Sequence, residues 1–257
     1  MKWFVYCLLV LLGLFSKASY ADHCSSLTVF GSKSWQPLSY VNKKTHQAEG
    51  IGYDLIKYIA KDLNVLIQTK PVIPWTRGLS SLKEGKIDLA VAIYFSEERT
   101  ADLIYSDPYY TNEARIFTKT DGKLEFSDIN DLLKYSGGLF AGGSYGDEFD
   151  KFIERNKPSV ERVHHKDQLT GMLLLGRIDY FVLDLWDGVS FLKQKGLESQ
   201  IKILDVPVSS PNVYFATSKL SHCKKLLPYI NKSIAQAKAN GVLDAIIEKH
   251  TTKSVVQ

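Results

Sequence analysis

Residues 53–68 read YDLIKYIAKDLNVLIQ, and this stretch decides the fold. Leu55, Ile56, Ile59, Ala60 and Leu63 recur on one helical face, so 53–63 is expected to be an amphipathic helix. Val65 to Gln68 then reads as a short strand. Upstream, LTVF at 27–30 is a strand pattern. Downstream, Thr76 to Glu84 is helical in pattern and Gly85 ends it. IDLAVAI at 87–93 is an almost unbroken apolar run, as expected for a strand buried on both faces. The order β-α-β-α-β implies a mostly parallel sheet covered by helices.

The same grammar returns further along. Ile116 to Thr118 is extended, and Thr120-Asp121-Gly122 is a turn. Leu139 to Ala141 reads as a strand, Asp147 to Glu154 as a helix, Gln168 to Leu175 as a helix and Asp179 to Leu183 as a buried strand. Val213 to Thr217 is a late strand, followed by helices at Cys223–Ala239 and Val242–Lys249. The fold class is therefore α/β, two-lobed, with two mostly parallel sheets and extended crossings near 116–119 and 207–214.

The N-terminus carries a secretion signal. Lys2 is basic, Trp3 to Phe15 is an apolar run of 13 residues, and Ser19-Tyr20-Ala21 offers small residues at a cleavage site. A helix crossing a bilayer needs roughly 20 apolar residues, so an anchor fits less well. Cleavage after Ala21 removes Lys2 and Lys17, and the formal charge of +4 falls further. No basic excess or motif for nucleic acid remains. Cys24 and Cys223 survive cleavage. In an oxidising compartment an even pair points to a disulfide, the alternative being two buried free thiols. His164-His165 has no spaced partners to complete a metal set, and no cofactor motif is present.

Several segments, read in order, carry a family resemblance. They are GIGYDL at 50–55, LKEGKID at 82–88, SEER at 96–99, YSDPYY at 105–110 and Gly143-Ser144. GRID at 176–179, with Asp184 beyond it, and ANGVL at 239–243 complete the set. The chain thereby resembles the bacterial extracellular solute-binding proteins of family 3, the periplasmic amino-acid-binding components of ABC transporters. With the signal peptide at 1–21 set apart, the resemblance implies a first lobe formed by 22–116 and 213–257. It implies a second lobe at 117–212 and a ligand cleft between them that closes by hinge motion. Cys24 and Cys223 would then both lie in the first lobe, where they are expected to pair.

Arg99 follows a buried strand and a short loop, at the carboxyl end of a parallel sheet, where α/β sheets bind ligands. A guanidinium clamps a carboxylate with two parallel hydrogen bonds, and the resemblance gives Arg99 the ligand's α-carboxylate. The residues alone also allow a solvated arginine beside Glu97 and Glu98. Asp184 stands at the end of the second lobe's buried strand. The resemblance gives it the ligand's α-ammonium, whereas the local sequence allows a helix N-cap. Trp35 and Trp75 are implied to sandwich the ligand across the cleft, with ordinary core burial as the alternative.

Ser144 and Tyr145 follow Gly142-Gly143 at a helix start, where free N–H groups meet anions or the serine caps the helix. Two features depart from the family pattern. Tyr94 would fill space where an α-ammonium sits, and Arg77 adds a cation that serves a second acidic group or lies on the surface.

The function expected is capture of a small carboxylate-bearing solute, an amino acid or related acid, by a monomeric periplasmic protein without a cofactor. An inner-membrane ABC permease is the implied partner. The alternatives are a sensing module for a signalling partner and an enzyme on the same scaffold. For the last, no nucleophile beside an oriented base is legible.

Overall fold

Apolar periodicity at 53–63 becomes helix because its buried face has a sheet to pack on. The computed structural model describes residues 24–70, 74–141 and 143–256, so the expected signal peptide lies outside the described residues. The chain runs β1 (Ser26–Phe30), β2 (Ser34–Trp35), β3 (Ser39–Val41), β4 (Ala48–Glu49), α1 (Ile51–Asp62), β5 (Leu66–Thr69), α2 (Trp75–Lys83) and β6 (Leu89–Tyr94). A 3₁₀ turn at Glu98–Ala101 leads to β7 (Leu103–Tyr105) and β8 (Tyr110–Thr111). Next come β9 (Ala114–Lys119), β10 (Gly137–Phe140), α3 (Asp147–Asn156), β11 (Val160–Val163), α4 (Lys166–Leu174), β12 (Tyr180–Asp184), α5 (Leu185–Lys195) and β13 (Ile201–Ile203). The chain finishes with β14 (Asn212–Ser218), a 3₁₀ turn at His222–Leu226, α6 (Leu227–Ala239) and α7 (Val242–Val256).

Two larger sheets result. The first has the order β5-β1-β6-β14-β7, with β8 also on β14, and the second β11-β10-β12-β9-β13. In each, the strands run one way except a single antiparallel member, β14 or β9. The chain crosses to the second sheet at 112–113 and returns at 204–211. Apolar side chains fill both faces of both sheets. Leu55, Ile56 and Ile59 of α1 join Ile230 and Ile234 of α6 on one face of the first, and Leu82 of α2 packs on the other. Phe149 of α3 and Leu169 of α4 lie on opposite faces of the second.

Two glycines are required by close approach. Gly50 caps α1 at φ 126°, and a Cβ there would lie 2.5 Å from the Leu38 carbonyl oxygen. A Cβ on Gly188 would lie 2.0 Å from the Phe117 ring, so glycine lets α5 sit directly on β9.

Cys24 and Cys223 form the expected disulfide, with Cα atoms 5.1 Å apart across a sequence separation of 199. It ties the start of β1 to the turn before α6. Three sequence-based expectations need correction. The helix expected at 223–239 is a 3₁₀ turn followed by α6, because Pro228 sits in α6's first turn and has no N–H for a preceding turn. The last helix continues past Lys249 to Val256. The antiparallel meander β2-β3-β4 is absent from the sequence-based expectation altogether. Among the described residues no helix is long and apolar enough to cross a membrane.

Candidate functional site

Parallel strands end together, and their carboxyl ends from both sheets converge on one cavity of about 200 Å³. β6 ends there in Tyr94, β12 in Asp184, and β10 leads into Gly143-Ser144-Tyr145. Arg99, Trp35 and Trp75 also line it. Seven of the eight expected ligand residues therefore border one space, although they span positions 35 to 184.

Arg99 stands in the 3₁₀ turn after β6 and is half-buried. Its Nη1 donates to the Tyr94 carbonyl at 3.5 Å, and it also hydrogen-bonds Tyr105. The neighbouring Glu97 pairs instead with Lys151, at 3.5 Å. Among the described residues no carboxylate lies within ion-pairing distance of Arg99. A half-buried guanidinium facing a cavity without a counter-charge is an anion site in waiting.

Asp184 behaves differently. It is 9 % exposed. Its Oδ1 accepts from the Tyr94 hydroxyl at 2.8 Å and its Oδ2 from Trp35 Nε1 at 2.5 Å. Asn112 Nδ2 donates to the same Tyr94 oxygen at 2.7 Å. Asp184 occupies the N-cap position of α5, yet its side chain makes no capping bond, because its oxygens take donors from β6 and β2 instead. Burial, reinforced by the nearby Asp187 charge, raises its pKa from 3.8 to about 7 against the pull of Tyr94, Trp35 and Lys166. Burial also raises Asp187, although Lys166 forms an ion pair with it and the Gln36 backbone N–H donates to it.

The aromatic residues are wedged rather than free. Trp35 meets Tyr94 edge-on, with centroids 4.9 Å apart, and Trp75 tilts against Phe30 at 5.4 Å. Both remain half-buried. In the Ser144 loop most donors are engaged. The Ser144 hydroxyl and the Tyr145 N–H both donate to Asp150, and the Gly143 N–H donates to the Phe140 carbonyl. The α3 cap is Gly146, so Ser144 is not the N-cap that the sequence allowed.

Arg77 is the exception among the expected residues: it is exposed and does not border the cavity. α2 begins at Trp75 and buries Gly78 and Leu82, which turns position 77 to solvent. His164 and His165 are exposed too. Cys24, His222 and Cys223 cluster, but both sulfurs are in the disulfide and supply no thiolate.

Sequence reasoning misses Lys166, Asp187 and Asn112. It also misses that the first turns of α5 meet the first sheet's side. Ser190 Oγ donates to Gln36 Oε1 at 2.6 Å, and Trp186 hydrogen-bonds Tyr110. An acid three residues past Asp184 is the one signal the sequence offers.

Known proteins share this fold. The family model described as "Bacterial extracellular solute-binding proteins, family 3" matches residues 27–253. The L-cystine-binding protein TcyA of Bacillus subtilis is 25% identical over 223 residues, covering 87% of this chain and 80% of that protein. The ABC transporter arginine-binding protein 1 of Escherichia coli is 24% identical, covering 94% and 97%. Among solved structures, an ancestral arginine-binding protein bound to arginine superposes with a TM-score of 0.71 at 26% identity, covering 89% and 99%.

Proposed function

This chain belongs to the bacterial extracellular solute-binding proteins of family 3, and from that premise we propose that it captures a small carboxylate-bearing solute in the periplasm. It presents that solute to an inner-membrane ABC transporter and works without a cofactor. The observation that carries this reading is Arg99. Its guanidinium borders a cavity at the carboxyl end of β6, and no carboxylate among the described residues pairs with it. A carboxylate in the cavity completes that charge with two parallel hydrogen bonds. Trp35 and Trp75 give the solute's apolar part flat surfaces at low entropy cost. The relatives named for binding cystine and arginine support an acid of amino-acid size.

The ligand's two walls belong to two lobes that Asp184 holds together through Trp35 and Tyr94, and hinge motion at the crossings 112–113 and 204–211 parts them for entry. The protein binds rather than catalyses: the acids at the cleft, Asp184 and Asp187, already hold Tyr94, Trp35 and Lys166 and are not poised on a nucleophile.

A thermal-shift screen over amino acids, hydroxy acids, simple carboxylic acids and amines tests the reading. A ligand at 100 times its Kd adds about 2.7 kcal/mol to the folded state and raises Tm. Carboxylates should register and amines without a carboxylate should not. The reverse pattern would contradict the assignment.

A further inference from the structure

Among the described residues that line the cleft, one cation lacks an acid and both acids already have partners. Arg99 has no acid partner among the described residues, whereas Asp187 holds Lys166. Asp184 receives one donor on each oxygen, both from the opposite side of the cleft. Those donors are fixed. Tyr94 is buried, and Asn112 grips its hydroxyl at 2.7 Å. Trp35 is locked edge-on against the Tyr94 ring. Each oxygen can accept once more, but Asp184 is buried, so an incoming ammonium sheds its water for an acceptor that already serves a held hydroxyl or indole, which returns little. Burial also keeps a proton on Asp184 up to about 7, which weakens it further as a counter-charge.

We propose that Asp184 is a tie between the two lobes, satisfied by Trp35 and Tyr94, and that Tyr94 thereby selects carboxylates without an α-ammonium over amino acids. This rests on the reading of Arg99 as the carboxylate site. It narrows that reading from amino-acid-sized acids to hydroxy acids and plain carboxylic acids. A site whose polar groups are already paired discriminates through the group it would leave unpaired, not through a new attraction.

Matched triplets test it by calorimetric titration. Alanine, lactate and propionate share one skeleton, as do leucine, 2-hydroxyisocaproate and 4-methylvalerate, and phenylalanine, phenyllactate and 3-phenylpropionate. In the wild-type protein the ammonium member of a binding triplet should be at least tenfold weaker than its hydroxyl or hydrogen counterpart. Tyr94→Phe, which frees Asp184 Oδ1, should close or reverse that gap. An amino acid binding tightest to wild type, and weakened at least tenfold by Asp184→Asn, would overturn the proposal.

A second arm needs no ligand and no variant. In 15N-labelled wild-type protein the Trp35 indole N–H should exchange with D₂O at least tenfold more slowly than an exposed indole. Exchange at the exposed rate would overturn the tie. Silence from all three triplets, with the indole protected, would instead overturn the carboxylate reading and support the tie.

Discussion

β6 and β12 are built alike and end alike, but the chain continues differently beyond each. Both are the buried centre of their sheet, parallel to one neighbour and antiparallel to the other. Each closes with a polar residue at the cleft, and these two, Tyr94 and Asp184, bond to one another. After β6 a 3₁₀ turn lifts Arg99 half into solvent, where no acid among the described residues meets it. After β12 a full helix starts at once and buries Asp187 against Lys166. One strand end therefore leaves a charge for something else to neutralise, and the other neutralises its own. The difference teaches that position at a sheet's carboxyl end is not enough to make a ligand residue. What counts is whether the protein has already supplied the partner.

The largest contrast concerns stability. The first lobe is stapled by Cys24–Cys223, and the described part of the second has no cysteine. The bond closes a loop of about two hundred residues, for which chain entropy gives about 5 kcal/mol. Urea unfolding of the Cys24→Ser/Cys223→Ser double variant should show a loss of that order. A loss under about 1 kcal/mol would mean that the first lobe needs no staple.

Asp184→Ala comes next. It strips the acceptor from two largely buried donors, so the unliganded protein should lose about 1–3 kcal/mol. An unchanged melting curve would place Asp184 outside the folded hydrogen-bond network. The sequence-based expectation gives Asp184 the ligand's α-ammonium; in the structure both its oxygens accept from the protein, from Trp35 and Tyr94.

The same carboxyl leaves a trace in pH dependence. Its folded pKa is raised from 3.8 to about 7, so between those values the folded state holds a proton that the unfolded chain releases. Stability from this group is therefore full below 3.8 and falls as pH rises toward 7, by up to about 1.4 kcal/mol per unit. Asp54 has the opposite sign. Burial would raise it, but His250 and Lys249 hold it below 3.8, so its contribution is lost only at lower pH and does not overlap. Melting curves of Asp184→Asn from pH 4 to 7 should decline less than wild type, the remainder coming from Asp187, which burial also raises. Burial and Asp187 push the same carboxyl up while Tyr94, Trp35 and Lys166 pull it down, so Tyr94→Phe should carry the decline to higher pH rather than remove it.

The smallest effect is expected at Arg77. Being exposed on α2, its change to alanine should move neither stability nor carboxylate affinity by more than about 0.5 kcal/mol.

Local pattern makes the large elements legible. The helix at 51–62 and the buried strands at 89–94 and 180–184 have the periods their packing demands. The meander at 34–49 and the strands at 160–163 and 201–203 escape because two to four residues are too few to display a period. Arg99, Trp35 and Asp184 are legible through ordered motifs, but their bonding is not. Trp35 and Asp184 lie 149 residues apart and Tyr94 and Asp184 lie 90 apart, so nothing local records the contact. Lys166 escapes because it borders the unrecognised β11, and its partner Asp187 reads only as a helix-start acid.

Arg99 borders the cavity without an acid among the described residues, while Asp184 is bonded to Trp35 and Tyr94. Calorimetric titration of Arg99→Ala and Asp184→Asn, side by side, with the tightest carboxylate from the thermal-shift screen tests this contrast most directly. Removing one partner of a buried charge pair typically costs about 2–5 kcal/mol of affinity. Arg99→Ala should therefore weaken binding by at least about thirtyfold while leaving the unliganded Tm nearly unchanged. Asp184→Asn should bind within a few fold of wild type. Wild-type affinity in Arg99→Ala, or a collapse of affinity confined to Asp184→Asn, would contradict the account.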